Sequence, residues 1–217
     1  MLPKGNKLRY IFVELAHHLP FSIFGVTIGL IFMGVLTFFA VLLGAEKMLP
    51  TASRELFHIF HPAHVLLSSV TTTAMFWKHE KRMFKALIVG FAGSVGICGL
   101  SDIIFPFFGG LLMGAPMQMH VCIIQEPGLV FPFAIIGVLA GFFVVTAIER
   151  STEYSHSAHV FVSSAASLLY MLAFGLEGWT DMAGGVFLVT VIAVMIPCCL
   201  SDIAFPILCV HRNCDHD

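Results

Sequence analysis

Charged residues are scarce in this chain. Lys, Arg, Asp and Glu together make up 11% of its 217 residues, whereas soluble domains use about 25%. Too few are present to cover a water-facing surface. Polar aromatics are thin as well, with two Trp and three Tyr against 22 Phe. No basic stripe with interleaved aromatics occurs and the formal net charge is −2, so there is no electrostatic footprint for nucleic acid. The six Cys follow no regular spacing and do not read as a disulfide framework. Several lie in apolar runs, where a thiol is a small hydrophobe or a metal ligand. A cleaved leader is not expected either. Lys4, Lys7 and Arg9 precede an apolar run that continues to about Leu43 without a small-residue cleavage site.

What the chain has in excess is apolar bulk, 58% of its residues, with a mean hydropathy of +0.94. Lipid is the solvent such a sequence fits. A membrane span needs about 20 mostly apolar residues, and six such stretches are expected, at 19–44, 58–77, 86–113, 128–148, 157–175 and 184–210. Short polar links separate them, among them Gly44 to Glu55, Lys78 to Lys85 and Glu149 to Glu153. The expected fold is an all-α integral membrane protein of six transmembrane helices. Cations fix the orientation. With the N-terminus inside, Lys4, Lys7, Arg9, Lys78, Lys81, Arg82, Lys85, Arg150 and Arg212 are inside, and only Lys47 and Arg54 are outside. Both termini are therefore expected to be cytoplasmic, in a plasma (inner) membrane.

The chain also repeats itself. Leu19-Pro20-Phe21-Ser22-Ile23-Phe24-Gly25-Val26 matches Phe131-Pro132-Phe133-Ala134-Ile135-Ile136-Gly137-Val138 at an offset of 112, and Glu14 falls on Glu126. His61-Pro62-Ala63-His64-Val65 with Ser68-Ser69 matches His156-Ser157-Ala158-His159-Val160 with Ser163-Ser164 at an offset of 95. Leu100-Ser101-Asp102-Ile103 with Phe105-Pro106 matches Leu200-Ser201-Asp202-Ile203 with Phe205-Pro206 at an offset of 100, and Cys98 falls on Cys198. The blocks keep their order, and the offset changes only in the linkers. Each unit holds three spans, an odd number, so the second copy starts on the opposite side. Two inverted-topology repeats are expected, 1–115 and 116–210, followed by a short cytoplasmic tail, 211–217. The plan resembles that of secondary transporters with inverted repeats; this likeness is architectural.

An ionisable side chain at mid-bilayer costs at least about 2.5–3.5 kcal/mol, so Asp102 and Asp202 call for partners. His61 and His64 are three apart and share a helix face, as do His156 and His159. Cys98 and Asp102, and Cys198 and Asp202, are four apart and do the same. Imidazole, thiolate and carboxylate are the donors of zinc-type sites. An outer site of His61, His64, Cys98, Asp102 and Glu126 is expected. Its inner counterpart is His156, His159, Cys198, Asp202 and Glu14, each nest borrowing its Glu from the other unit. His58, Glu153, His17 and His18 are accessory candidates. Pro106 and Pro206 are expected to kink or break the third and sixth helices and to free carbonyls that could coordinate a cation. Gly109 and Gly110 would add slack. Two thiols and two imidazoles in the tail, Cys209, His211, Cys214 and His216, match no closed zinc motif, and a disordered end is the better reading.

Plainer roles compete at each position. The histidines could be a helix–helix hydrogen-bonding pair, the aspartates caps of broken helices, and Cys98 and Cys198 small apolar fillers. Ser68-Ser69 and Ser163-Ser164 read as packing residues. Pro20 and Pro132 read as helix starts. The combination recurring in both halves favours chemistry. The expected function is a transporter of a divalent transition metal (zinc, iron, nickel, cobalt or manganese) by alternating access, with proton counter-movement as a natural coupling. Zinc is the leading ion, as substrate or bound ion. The alternatives are a membrane-embedded zinc hydrolase, a haem or copper redox protein held by histidine, and a channel or proton-coupled carrier of a small organic solute. The expected partners are the ion and the bilayer. Six spans also leave room for a homodimer, and nothing in the sequence marks its interface.

Overall fold

The computed structural model describes residues 7–199, with side chains for 16, 19–144 and 158–197. Its elements are helices α1 (Lys7–Leu42), α2 (Leu49–His79), α3 (Met83–Gly99), α4 (Phe105–Leu112), α5 (Cys122–Gln125), α6 (Pro127–Gly141), α7 (Val145–Ala173) and α8 (Ala183–Cys199). A π-helical turn, Leu100–Ile104, joins α3 to α4. No strand occurs among the described residues. Three helical stretches are long and apolar enough to cross a membrane: Leu19–Leu42, Met83–Leu112 and Trp179–Pro197. Two shorter apolar helices, Pro127–Gly141 and Ala158–Ala173, accompany them. Large apolar side chains such as Phe24, Phe38, Leu42, Phe84, Ile136 and Leu188 are exposed, as expected of a membrane protein.

The helix ends differ from expectation in instructive ways. Pro20 lies inside α1 and Pro132 inside α6; the prolines that do start helices are Pro50 and Pro127, where a missing N–H costs nothing. The stretch Glu149 to Glu153, expected as a link, lies within α7. It is polar but contains neither Gly nor Pro, so nothing in it stops a helix. The chain breaks instead just before it, after Gly141.

Helix α2 is the hub, packed on α7, α6 and α3, while α1 packs on α7 and α8. The buried side of α2 is unusually polar, with Ser53, His61, His64, Ser68, Ser69, Thr72 and Thr73 all inside. Its C-terminal end is pinned by a small charge cluster. Glu80 accepts from Lys85 Nζ at 3.1 Å and pairs ionically with Arg82, whose Nε lies 3.3 Å away, and Lys81 sits over the Trp77 ring at 4.9 Å.

Pro106 does not break its helix. The run is helical from Met83 to Leu112, and the irregularity takes the form of the π turn, in which Phe105 N–H reaches back to Leu100 O. Under that five-residue spacing the donor for Ser101 O would be residue 106, and proline has none. Ser167 Oγ supplies it from α7, donating to Ser101 O at 3.0 Å. The carbonyl freed by the proline is thereby occupied by a hydroxyl. Gly109, expected as slack, is a close-packing position: a Cβ there would collide with the Val189 side chain on α8.

Candidate metal centre

Asp102 is fully buried on the π turn, and its two oxygens divide their partners. Oδ2 receives His61 Nδ1 at 2.9 Å and His64 Nδ1 at 2.7 Å. Oδ1 receives the hydroxyls of Ser101 at 2.7 Å and Ser163 at 3.2 Å. An ionised carboxylate only accepts, so both imidazoles donate to it from Nδ1 and turn Nε2 away from it. Orienting a histidine through its other nitrogen is what carboxylates do behind metal-ligating imidazoles. Asp102 is thus placed to position His61 and His64, with its lone pairs already engaged.

The outward nitrogen of His64 meets His159 Nε2 at 2.7 Å, and Cys98 Sγ lies 3.8 Å from the same atom. His64, Cys98 and His159 are 1%, 1% and 2% exposed, so this is a dry cluster of nitrogen and sulfur donors between α2, α3 and α7. Two nitrogens sharing one tetrahedral ion, each about 2.0–2.1 Å from it, stand about 3.3 Å apart. Opening the pair by roughly 0.6 Å would convert a hydrogen-bonded couple into a ligand couple. His61 stacks on Phe57, with ring centroids 5.3 Å apart and planes 17° apart, and lines a cavity of about 240 Å3 with Val95, Leu100, Val121 and Ile123.

The structure therefore brings together His61, His64, Cys98 and Asp102, all from the expected outer nest, and adds His159 from the expected inner one. The nests are not separate at this point, because α2 and α7 pack closely where His64 and His159 face each other. Glu126 is exposed at the α5–α6 junction, and among the described residues no hydrogen bond joins it to Asp102 or the histidines. Glu14, His17, His18, Glu153, His156, Cys198 and Asp202 lie outside the described side chains, as does the Cys/His tail. Of the serines expected as packing residues, Ser163 also bonds Asp102; Ser167, which the sequence reading did not single out, donates to the carbonyl of Ser101 beside it.

A second group of donors joins the accessory candidate His58 to two residues that the sequence did not single out. His58, His120 and Cys122 present ligand atoms that all lie within 4.8 Å of one another, with His58 Nε2 and His120 Nε2 3.2 Å apart. His120 and Cys122 have no counterpart in the repeat, which is why matching the halves passed over them. The pattern His-x-Cys across an extended residue, Val121 at φ −111° and ψ 99°, is the signal available, since alternate side chains of extended chain share a side. Burial, then the charges of His58 and Arg54, pushes His120 down to about 4, so its imidazole is neutral at physiological pH. Burial, then the charges of Asp102 and Glu126, pushes the Cys122 thiol up to about 12. No family model, curated protein or solved structure matches the chain.

Proposed function

We propose that this chain carries a divalent transition-metal ion across a membrane by alternating access, with the buried cluster around Asp102 as its ion site. Zinc leads the candidates because imidazole and thiolate are combined; iron, nickel, cobalt and manganese follow. The observation that carries the reading is the carboxylate bonded to two Nδ1 atoms, which leaves Nε2 of His64 in a dry cluster beside a third histidine and a thiol.

The finer architecture belongs to the same proposal: six spans, arranged as two inverted three-helix units. Packing supports it in detail. Gly25 on α1 faces Val160 and Ser164 of α7, and Gly137 on α6 faces Leu66 and Ser69 of α2. Gly29 faces Leu168, and Gly141 faces Thr73. Shifting the glycines by the offset of 112 and the α7 partners back by 95 converts Gly25–Ser164 into Gly137–Ser69 and Gly29–Leu168 into Gly141–Thr73. His64 and His159 are also equivalent by the offset of 95, and residues that touch their own equivalent belong on the symmetry axis of a two-fold pair. An axis in the membrane plane would pass between them, at the place where an ion is exposed first to one side and then to the other.

A haem reading finds no support at this pair, because nitrogens 2.7 Å apart leave no room for a macrocycle between them. The test is ion flux into proteoliposomes with a panel of divalent metals. The parent is expected to accumulate at least one of them. Asp102→Asn is expected to weaken the ion's apparent affinity about 10–100-fold, as loss of an orienting carboxylate does elsewhere. A folded parent that moves no metal, or that turns over lipid instead, overturns the reading.

A further inference from the structure

We propose that His58, His120 and Cys122 form a separate metal site, for a borderline-soft divalent ion of the zinc class, at the rim of the helix layer. The two Nε2 atoms stand 3.2 Å apart, close to the roughly 3.3 Å that two nitrogens about 2.0–2.1 Å from one tetrahedral ion would show. All three donor atoms fall within 4.8 Å of one another, so one ion reaches them without rearranging the backbone. Two imidazoles and one thiolate leave a fourth tetrahedral position for water or for the next ligand along a path.

The group is built rather than incidental. His120 lies flat against Phe174, with centroids 4.6 Å and planes 11° apart, and edge-on to Phe57. Its backbone N–H donates to Tyr170 Oη at 3.1 Å, and Tyr170 Oη donates to Gln118 O at 3.3 Å. Gln118 N–H in turn donates to Phe174 O at 2.7 Å. An otherwise irregular stretch between α4 and α5 is thereby held to α7 at the residue that carries the imidazole. Cys122 is 1% exposed and His120 5%, while His58 is half-buried and Arg54, Glu55 and Glu126 around it are exposed. An ion arriving from water meets the site first.

Helix α2 ties this site to the buried cluster. His58, His61 and His64 follow at three-residue steps, each about 4.5 Å further along the axis. Val121 and Ile123, the chain neighbours of Cys122, line the same cavity as His61. That the rim site feeds the cluster rests on the transport reading; that it holds an ion does not.

Cobalt(II) titration of the purified full chain in detergent tests the proposal, followed by sulfur-to-cobalt charge-transfer absorption and by bound cobalt per chain. In a Cys98→Ser background, which removes the thiol of the buried cluster, the thiolate band is expected to persist, and adding Cys122→Ser to that background is expected to abolish it with loss of one equivalent of cobalt. His120→Ala is expected to lose the same equivalent. Should Cys122→Ser not purify as a folded species, His58→Gln alters a half-buried rim side chain and is expected to show the same loss. Full stoichiometry with an intact thiolate band in these variants would overturn the proposal. Flux separates the two readings. Rim variants that bind one cobalt fewer in a protein that transports nothing sink the transport reading alone, whereas unchanged cobalt binding in a transporting protein sinks the rim site alone.

Discussion

At the scale of single residues, the chemistry turns on which lone pairs and protons are already committed. Asp102 reads from sequence as a ligand, and its oxygens hold two imidazoles and two hydroxyls, an arrangement that orients the histidines. Ser167 shows how a buried polar atom is kept satisfied in a low-dielectric interior. Removing it leaves Ser101 O without the donor that Pro106 lacks, at an expected cost of about 1–3 kcal/mol. Ser167→Ala should lower the thermal unfolding midpoint in detergent. Pro106→Ala supplies a local N–H to the same carbonyl, so adding Ser167→Ala to that background should cost measurably less than in the parent. Equal costs in the two backgrounds would show that the hydroxyl and the proline are not coupled.

At the scale of elements, helix pairs meet where side chains are smallest. Gly25-x-x-x-Gly29 and Gly137-x-x-x-Gly141 are small-residue stripes of the kind that let helices approach closely in lipid. Gly25 and Gly137 belong to the repeated blocks, but their partners are not legible there, because α1 packs on α7 and α6 on α2. The two stripes should not respond equally to a methyl group. A Cβ at Gly137 would stand 2.5 Å from Leu66 O and 2.7 Å from Ser69 Cβ, whereas one at Gly25 meets the tip of the Val160 side chain at 2.8 Å. Backbone cannot turn aside as a side chain can. Gly137→Ala is therefore expected to cost about 1–3 kcal/mol and Gly25→Ala less, measured by thermal unfolding of the purified variants. The reverse order would contradict the packing.

At the scale of the whole molecule, the distribution of cations sets an orientation that labelling can check. With six spans, the turn after α2 and the turn after α1 lie on opposite sides. Lys81→Cys should react with a membrane-impermeant maleimide only from the cytoplasmic face, and Lys47→Cys only from the outer face. Both reacting from one face would dismantle the six-span arrangement and the inverted repeat with it.

The linear order of residues determined a helical chain with stretches apolar enough to cross a membrane, because 11% charge and 58% apolar content leave too little polar surface for water. It also marked His61, His64, Cys98, Asp102 and His159, since ionisable groups in matched apolar blocks stand out against their cost. Tertiary packing decided the rest. It set His64 against His159, so that nests expected apart meet at one point, and it drew His120 and Cys122 from an unrepeated stretch onto His58. Periodicity reports which face a residue occupies on its own helix; which faces come together depends on how α2, α7 and the stretch before α6 pack, and that is a property of the assembled bundle.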